Sequence, residues 1–364
     1  MRLVLIGDGE SPHLLKWARA LHDQVELWAA STRGFAPEFS FLVPEQRRLA
    51  LQTSPRHGGG NLAVLAQLPR LGAWLARVQP DWLHAHYLTS HGTLAWAARR
   101  GWRLKARIAG SAWGSDILVT PQQGWAYHWL TRQVLQACEV CTSDSAHMAQ
   151  RMRELGAREV MTFPFGLEAL PKQNARKQPW LFFANRGLEP IYRPDRVIAT
   201  FAAVAAVQPQ ARLVVANDGS LRTALQAQVQ ALGLAERVEF VGRLDATAQA
   251  RQYAQARWFL SLPASDSVSV SVLEAMAHEC LPLLSDLPAN HEVLGTGEPG
   301  ELGEGQRQGL ILARDEDVQA LPARLAALAD EQVDARGAAN RAWVAEHAMF
   351  APAVKRFVAR LKEQ

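Results

Sequence analysis

Short apolar runs alternate with amphipathic segments from one end of the chain to the other, the pattern of parallel sheets joined by crossover helices. In the first half, strands are predicted at Arg2–Ile6, Val25–Ala29, Trp82–Ala85, Lys105–Ala109, Val140–Thr142 and Val160–Phe163. Helices are predicted between them, for example over Pro12–Leu21, Leu62–Val78 and Thr89–Arg100. The pattern restarts with strands at Trp180–Ala184, Arg212–Ala216, Val238–Val241, Trp258–Leu262, Leu281–Ser285 and Gly309–Leu312. Between the halves, residues 171–179 are polar, carry proline at both ends and show no apolar period, so they read as a linker. The expectation is an α/β chain of two Rossmann-like domains, 1–170 and 180–349, with a final helix within 350–364 packing back on the first.

Composition narrows the class. The 364 residues are 48% hydrophobic and 20% charged, which excludes a disordered, collagen-like or coiled-coil chain and suits two domains with their own cores. No apolar stretch reaches the roughly 18 residues that span a bilayer; the longest, such as Val197–Val207, are short and rich in alanine. The first residues show no basic segment followed by a long apolar one, and the cysteine count of 3 is odd, so a cytosolic protein is expected. Cys138 and Cys141 form a C-x-x-C with no second pair and no histidine pair nearby, and read as small half-buried side chains.

The net charge of +4 conceals an asymmetry. Residues 1–177 hold 21 Lys and Arg against 13 Asp and Glu, and the remainder holds 18 against 22. The densest basic stretch runs from Arg99 to Arg107, with Trp96 and Trp102 interleaved. It reads either as a patch for an anionic membrane surface or as a solvated helix end. No recognition motif accompanies it, so nucleic acid is not an expected partner.

In open sheets of this kind ligands bind beyond the carboxyl ends of the strands, and two facing sheets place a cleft between domains. The strand-to-helix loops are therefore the places to look. The first, Gly7-Asp8-Gly9-Glu10-Ser11-Pro12-His13, lacks the third glycine of a dinucleotide fingerprint, Pro12 standing in its place. It delivers a helix N-terminus suited to an anion or a hydroxyl. His13 and Trp17 fall one helical turn apart and fit a ligand or a core role equally. Strand alternation puts His84 and His86 on one face, His84 as a packed residue and His86 at the carboxyl end as a substrate contact. In Gly110-Ser-Ala-Trp113-Gly114-Ser115-Asp116, small residues admit a ligand, and Asp116 either binds a sugar hydroxyl or caps the next helix.

The second half is richer. Arg186, just beyond a strand, and Arg193, just before a helix, can clamp a diphosphate. Asn217-Asp218-Gly219-Ser220 and Gly242-Arg243-Leu244 follow the next two strands. The decisive loop is Ser265-Asp266-Ser267-Val268-Ser269-Val270-Ser271-Val272-Leu273-Glu274-Ala-Met-Ala. A helix starting near Ser269 or Ser271 offers its free N–H groups to phosphate. A carboxylate in its first turns can accept both hydroxyls of a ribose, although serine caps and an ordinary helical glutamate give the same pattern.

At this loop the chain resembles the GT-B glycosyltransferases of family 4, which are retaining and use nucleotide sugars. The family's signature is two acidic residues separated by seven, in a run ending Glu-Ala-Met-Ala, and here it reads Asp266 through Glu274-Ala-Met-Ala. His13 and Trp17, the His84-Ala-His86 strand end, Trp113-Gly-Ser-Asp116 and Phe163-Pro-Phe-Gly166 also resemble family landmarks, so the likeness covers nearly the whole chain. It implies two parallel sheets facing a cleft. Glu274 would bind the ribose, Asp266 would face the donor sugar, and the amides of Ser267, Ser269, Val270 and Ser271 the diphosphate. Arg186 would neutralise the phosphate charge, and Gly242, Arg243 and Leu244 would hold the base, with Arg193, Asn217 and Gly219 nearby. Gly9, Glu10, His13, His86, Trp113 and Asp116 would line the acceptor side.

Three departures stand out. Asp266 occupies a position where the family has Glu, serines replace the usual Gly-Phe-Gly, and Tyr192-Arg193 stands where a phosphate-binding lysine is usual. Many relatives also carry histidine at the place of Trp113. Asp315-Glu-Asp317 has the D-x-D form of a manganese site but reads as a helix cap, so no metal and no cofactor beyond the donor co-substrate is expected. The expected activity is transfer of a hexose, from UDP first of all, to a glycan or lipid-linked acceptor in bacterial surface polysaccharide assembly. This would take place at the inner face of the cytoplasmic membrane. The rivals are a GT-B sugar-nucleotide epimerase and a catalytically silent nucleotide-sugar-binding subunit.

Overall fold

The computed structural model describes residues 1–53, 62–172, 176–295, 309–313 and 315–364. They form two compact units, Met1–Pro164 together with Phe350–Gln364, and Phe165–Met349. The division falls after Pro164, earlier in the chain than the expected boundary at 170. Part of the expected linker, 173–175, lies outside the described residues. Its end is structured: Lys177 donates from Nζ to the carbonyls of Tyr253 (2.7 Å) and Ala256 (2.8 Å), and Gln178 already begins a strand.

The first unit holds β1 (Arg2–Gly9), β2 (Glu26–Phe35), β3 (Arg48–Ala50), β4 (Trp82–His86), β5 (Arg107–Ser111), β6 (Val140–Ser143) and β7 (Val160–Thr162). They form one parallel sheet in the order β3-β2-β1-β4-β5-β6-β7. Its helices are α1 (Pro12–Leu21), α2 (Leu62–Leu65), α3 (Leu68–Val78), α4 (Thr93–Gly101), α5 (Ser115–Leu118), α6 (Trp125–Ala137) and α7 (Ala146–Glu154), joined by α15 (Phe350–Glu363) from the chain's end.

The second unit holds β8 (Gln178–Ala184), β9 (Arg212–Ala216), β10 (Val238–Gly242), β11 (Ala256–Ser261), β12 (Leu281–Ser285) and β13 (Leu310–Leu312), parallel in the order β10-β9-β8-β11-β12-β13. Its helices are α8 (Pro194–Val207), α9 (Arg222–Ala231), α10 (Ala246–Gln255), α11 (Val270–Ala277), α12 (Pro288–Leu294), α13 (Asp315–Ala326) and α14 (Asp330–His347).

Both sheets reverse their order beside the first strand of the unit, at β1/β4 and at β8/β11. Such a switch point opens a crevice at the carboxyl ends of the two strands. In the first unit it is flanked by the loops after Gly9 and after His86, and in the second by the loops after Ala184 and after Ser261.

Most of the predicted elements match, and the differences have local causes. The helix expected over 62–78 breaks into α2 and α3, because Pro69 restarts it in the first turn of α3. The helix expected from Thr89 begins as a π-turn over Leu88–Gly92, after Tyr87 takes a left-handed conformation (φ 66°). Strand β3 was not expected; it is a three-residue edge strand whose only buried residue is Leu49, too short to show alternation. The C-x-x-C cysteines are wholly buried rather than half-buried.

The C-terminal helix packs on the first unit around Trp17, and Arg360 pairs with Glu159 through two hydrogen bonds (2.8 Å each). Trp17 is fully buried and edge-on to Phe350 (5.1 Å), Phe357 (5.4 Å) and His84 (4.7 Å). Of the two roles open to Trp17, the structure takes the core one. Truncating a fully buried aromatic costs about 3–5 kcal/mol. Phe357→Ala is therefore expected to lower the unfolding free energy by about that amount in urea titration. A loss under about 1 kcal/mol would mean that α15 is not integral to the unit.

Candidate active site

In the second unit the switch-point loops converge on Arg186. Its guanidinium donates from Nη2 to Asp266 Oδ2 (2.6 Å) and from Nη1 to Ser269 Oγ (2.5 Å). The side chains of Arg186 and Asp266 are each only 18% exposed. Beneath the guanidinium lies the Tyr192 ring, 4.5 Å from Cζ, a cation–π contact. Burial raises the Asp266 carboxyl above its ordinary value, and Arg186 pulls it back down. The pairing changes two expectations. Asp266 spends its charge on Arg186, so it orients the arginine as much as it faces a donor sugar. Ser269 is the N-cap residue of α11 by position, yet its hydroxyl makes no cap bond and serves Arg186 instead.

Helix α11 starts at Val270, so the N–H groups of Val270 and Ser271 fall in its first turn, where no helical carbonyl can satisfy them. Ser267 is buried and its N–H donates to Asp266 Oδ1 (3.1 Å). Glu274 lies farther along the same helix. Its Oε2 accepts from Gln249 Nε2 (3.0 Å) and lies 3.1 Å from the Tyr253 hydroxyl. That hydroxyl accepts from Asn185 Nδ2 (2.8 Å) and donates to either Glu274 or the Ser271 carbonyl, also 3.1 Å away. Burial and the nearby Glu274 charge raise the phenol far above its usual range, so it remains a neutral donor.

Sequence reasoning missed Tyr253, Gln249 and Asn185. The signal was there: Tyr253 is the one aromatic in an otherwise polar helix, and Gln249 sits one turn before it on the same face.

The remaining donor-side candidates divide. Gly219 is required because the chain passes close by: a Cβ there would stand 2.5 Å from the Leu188 carbonyl, so its role is to pack the β8 and β9 loops together. Asn217 (φ 81°) and Gly242 (φ +70°) both take left-handed turns, tied by Asn217 N–H to the Gly242 carbonyl (2.6 Å). Leu244 packs on the core, while Arg243 is exposed. Arg193 is exposed at the start of α8, and Tyr192, not Arg193, is the residue that meets Arg186.

In the first unit the candidates gather at the carboxyl edge of β4. His13, at the start of α1, lies against Trp113 with centroids 4.3 Å apart, and His86 is 6.1 Å from Trp113. His84 bonds to Ser111 Oγ (2.8 Å), and burial pushes its imidazole down to about 3. His86 is 4% exposed, with neither ring nitrogen hydrogen-bonded, and burial drives it well below its ordinary value. Two neutral imidazoles therefore stand side by side, 4.3 Å apart.

Three acceptor-side candidates have structural partners of their own. Asp116 is fully buried; its Oδ2 accepts from Leu88 N–H (2.8 Å) and its Oδ1 from Trp113 N–H (2.9 Å), so it positions two loops. Gly9 donates its N–H to Ser31 Oγ (2.8 Å), and a Cβ on it would meet the Gly34 carbonyl at 2.5 Å. Glu10 accepts from Gly34 N–H (3.2 Å) and pairs with Arg33 (3.6 Å), closing the loop on β2. Asp315–Asp317 forms the first turn of α13, where Asp317 accepts from Ala313 N–H (2.9 Å).

Two parallel sheets, each with its polar side chains at the switch point, define a two-domain enzyme of the GT-B class. Residues 168–342 match the family model of the glycosyl transferases group 1, and residues 10–166 that of the glycosyl transferase 4-like domain. The chain belongs to the group 1 glycosyltransferases and has their GT-B fold. No curated protein sequence matches it. Among solved structures, sucrose-phosphate synthase from Thermosynechococcus elongatus is similar at a TM-score of 0.80 and 16% identity, over 100% of this chain and 98% of that one. HepE from Anabaena, solved with UDP and glucose, gives 0.78 and 14%, over 100% and 99%. The lipopolysaccharide outer core galactosyltransferase WaaB, in its apo form, gives 0.62 and 14%, over 95% and 100%.

Burial raises the Asp116 carboxyl to about 6, so the folded protein holds that proton more tightly than the unfolded chain. The stability this contributes is complete below the unfolded value and is lost as pH rises through about 6. Relative to Asp116→Asn, the wild type is expected to lose about 3 kcal/mol of unfolding free energy between roughly pH 4 and 7. A difference that stays constant with pH would contradict the buried, raised carboxyl.

Proposed function

We propose that the protein is a retaining glycosyltransferase that moves a hexose from a UDP-sugar to a glycan or lipid-linked acceptor in the assembly of a bacterial surface polysaccharide. The observation that carries this reading is the Arg186 cradle. A half-buried guanidinium, held by Asp266, Ser269 and the Tyr192 face, stands beside the first turn of α11, with Glu274 farther along that helix.

The arrangement suits a departing diphosphate. As the sugar–oxygen bond breaks, negative charge grows on the leaving phosphate. Arg186 and the first N–H groups of α11 are already in place to meet it, so little reorganisation is needed. Glu274 accepts from the ribose hydroxyls, oriented by Tyr253 and Gln249. The acceptor hydroxyl attacks the face the leaving group vacates, and its proton passes to the departing phosphate. In this scheme two preset positive elements do the work of a metal, and none is required.

The solved relatives support the donor: HepE is known with UDP-glucose, and WaaB is a galactosyltransferase of the lipopolysaccharide outer core. In the first unit, Trp113 with His13 and His86 forms the acceptor side. Aromatic faces and neutral imidazoles suit a sugar better than a charged group does. Glycan synthesis on a lipid carrier places the enzyme at the inner face of the cytoplasmic membrane, in contact with it through the basic first unit.

An epimerase would need acid and base carboxylates around the sugar. Asp266 is committed to Arg186 and Glu274 to its own network, which favours transfer. The test is release of nucleoside diphosphate from a panel of UDP-, GDP- and ADP-sugars without metal. Release is expected from a UDP-sugar and should vanish in Glu274→Ala. Arg186→Ala should fold normally and lower turnover roughly 10²–10³-fold. A change in affinity alone would identify a silent binding subunit. Interconversion of the sugar without release would identify an epimerase.

A further inference from the structure

Helix α6 presents an unusual face. Trp125 is 84% exposed and Trp129 52% exposed. With Arg132 and Gln136, both also exposed, they recur at i, i+4, i+7 and i+11, a single stripe along the whole helix. The opposite side of α6 carries Thr131, Val134 and Leu135, which are buried, so the stripe is not core that lost its cover. Tryptophan exposed to this extent is costly in water. Among the described residues only Phe41, at 86%, is a more exposed large apolar side chain.

The stripe continues onto the neighbouring helix. Trp129 meets Trp96 of α4 edge-on at 6.4 Å, and Arg99 of α4 donates to the Ala137 carbonyl at the end of α6. Helix α4 carries Arg99 and Arg100 in its last turn, and α6 carries Arg132 one turn beyond Trp129. Exposed Arg100, Arg103 and Lys105 follow Trp96 in the chain. From Leu88 to Cys138 the one acidic residue is Asp116, and it is wholly buried. This stretch of chain is thus aromatic and cationic on its exposed positions, the nearest carboxylate along it being Glu139, which pairs with Arg158 (3.4 Å).

We infer that the α4–α6 face is the membrane-docking surface of the protein, its occupant a bilayer rich in anionic phospholipid. The inference rests on the proposed membrane-proximal acceptor and names the surface that meets the lipid. Tryptophan favours the boundary between headgroups and acyl chains, and arginine pairs with lipid phosphate just above it. A second copy of the chain is a poorer occupant, since a two-fold contact through this face would oppose Arg132 and Arg100 to their own copies.

The position also suits the chemistry. Helix α6 follows α5 and the turn Thr120–Gln122, which leave the carboxyl edge of β5. Trp125 therefore enters the bilayer on the edge of the sheet that carries His13, His86 and Trp113. A sugar on a lipid carrier would reach those residues without leaving the membrane surface.

The test is flotation with phosphatidylcholine vesicles, with and without phosphatidylglycerol, at low and high salt. The wild-type protein should float with the anionic vesicles, with tryptophan emission shifted to the blue, and should be released by salt. Trp125→Ser combined with Trp129→Ser should weaken the partition roughly tenfold or more, without moving thermal unfolding. Arg100→Glu with Arg132→Glu should do the same. The inference is overturned if the wild type ignores anionic vesicles at low salt, or if the tryptophan pair can be removed without effect. It is equally overturned if the protein is a dimer that this pair of substitutions splits. UDP titration of the same samples reports on the donor site separately: loss of UDP binding would sink the proposed reaction, whereas loss of vesicle binding alone would sink only the docking surface.

Discussion

A guanidinium held largely out of water needs a compensating charge and a fixed geometry, and the second unit is organised around that requirement. Arg186 leaves β8, Asp266 and Ser269 leave β11, and the two strands are neighbours only because the sheet reverses its order between them. Asp266 offsets the charge, Ser269 takes a second donor, and Tyr192 covers the face. Burying the pair carries a desolvation cost, which the close Asp266 contact offsets while it fixes the guanidinium in one geometry. The hydroxyl network of Tyr253 does the same for Glu274, presenting a carboxylate whose orientation is set before a nucleotide arrives.

The first unit solves a different problem at the same topological position. There the switch point is lined by aromatic rings and by imidazoles that burial keeps neutral, with the Asp116 carboxylate below, holding the Leu88 and Trp113 backbones. One switch point thus presents a guanidinium and helix N–H groups, and the other presents aromatic rings and neutral imidazoles. The contrast follows from which side chains each sheet's loops carry, since the two sheets share one architecture.

Much of this was legible in the sequence because period-two apolar runs and helical stripes survive in a parallel α/β chain. Helix α1 and the strands β9 and β12 match their expected bounds residue for residue. The acidic pair, Arg186 and Ser269 could be picked out as chemistry for the same reason: polar residues just beyond an apolar strand have no structural duty that the pattern reveals. What the pattern could not show was pairing across the chain. Asp266 is held by a residue eighty positions away, Asp116 binds two backbone amides from separate loops, and Gly9 and Gly219 are small because another backbone passes beside them. Tyr253 was hidden for the same reason. Its function depends on Asn185, Ser271 and Glu274, which only the fold brings to it.

The central claim is that the Arg186 cradle recognises the diphosphate of the donor. Calorimetric titration with UDP and with uridine tests it most directly, because the two ligands share the base and ribose and differ in the group the cradle would hold. UDP should bind roughly a hundredfold more tightly than uridine, and Arg186→Ala should remove most of that difference. Equal affinities for the two ligands in the wild-type protein, or an advantage for UDP that survives the loss of Arg186, would contradict the account.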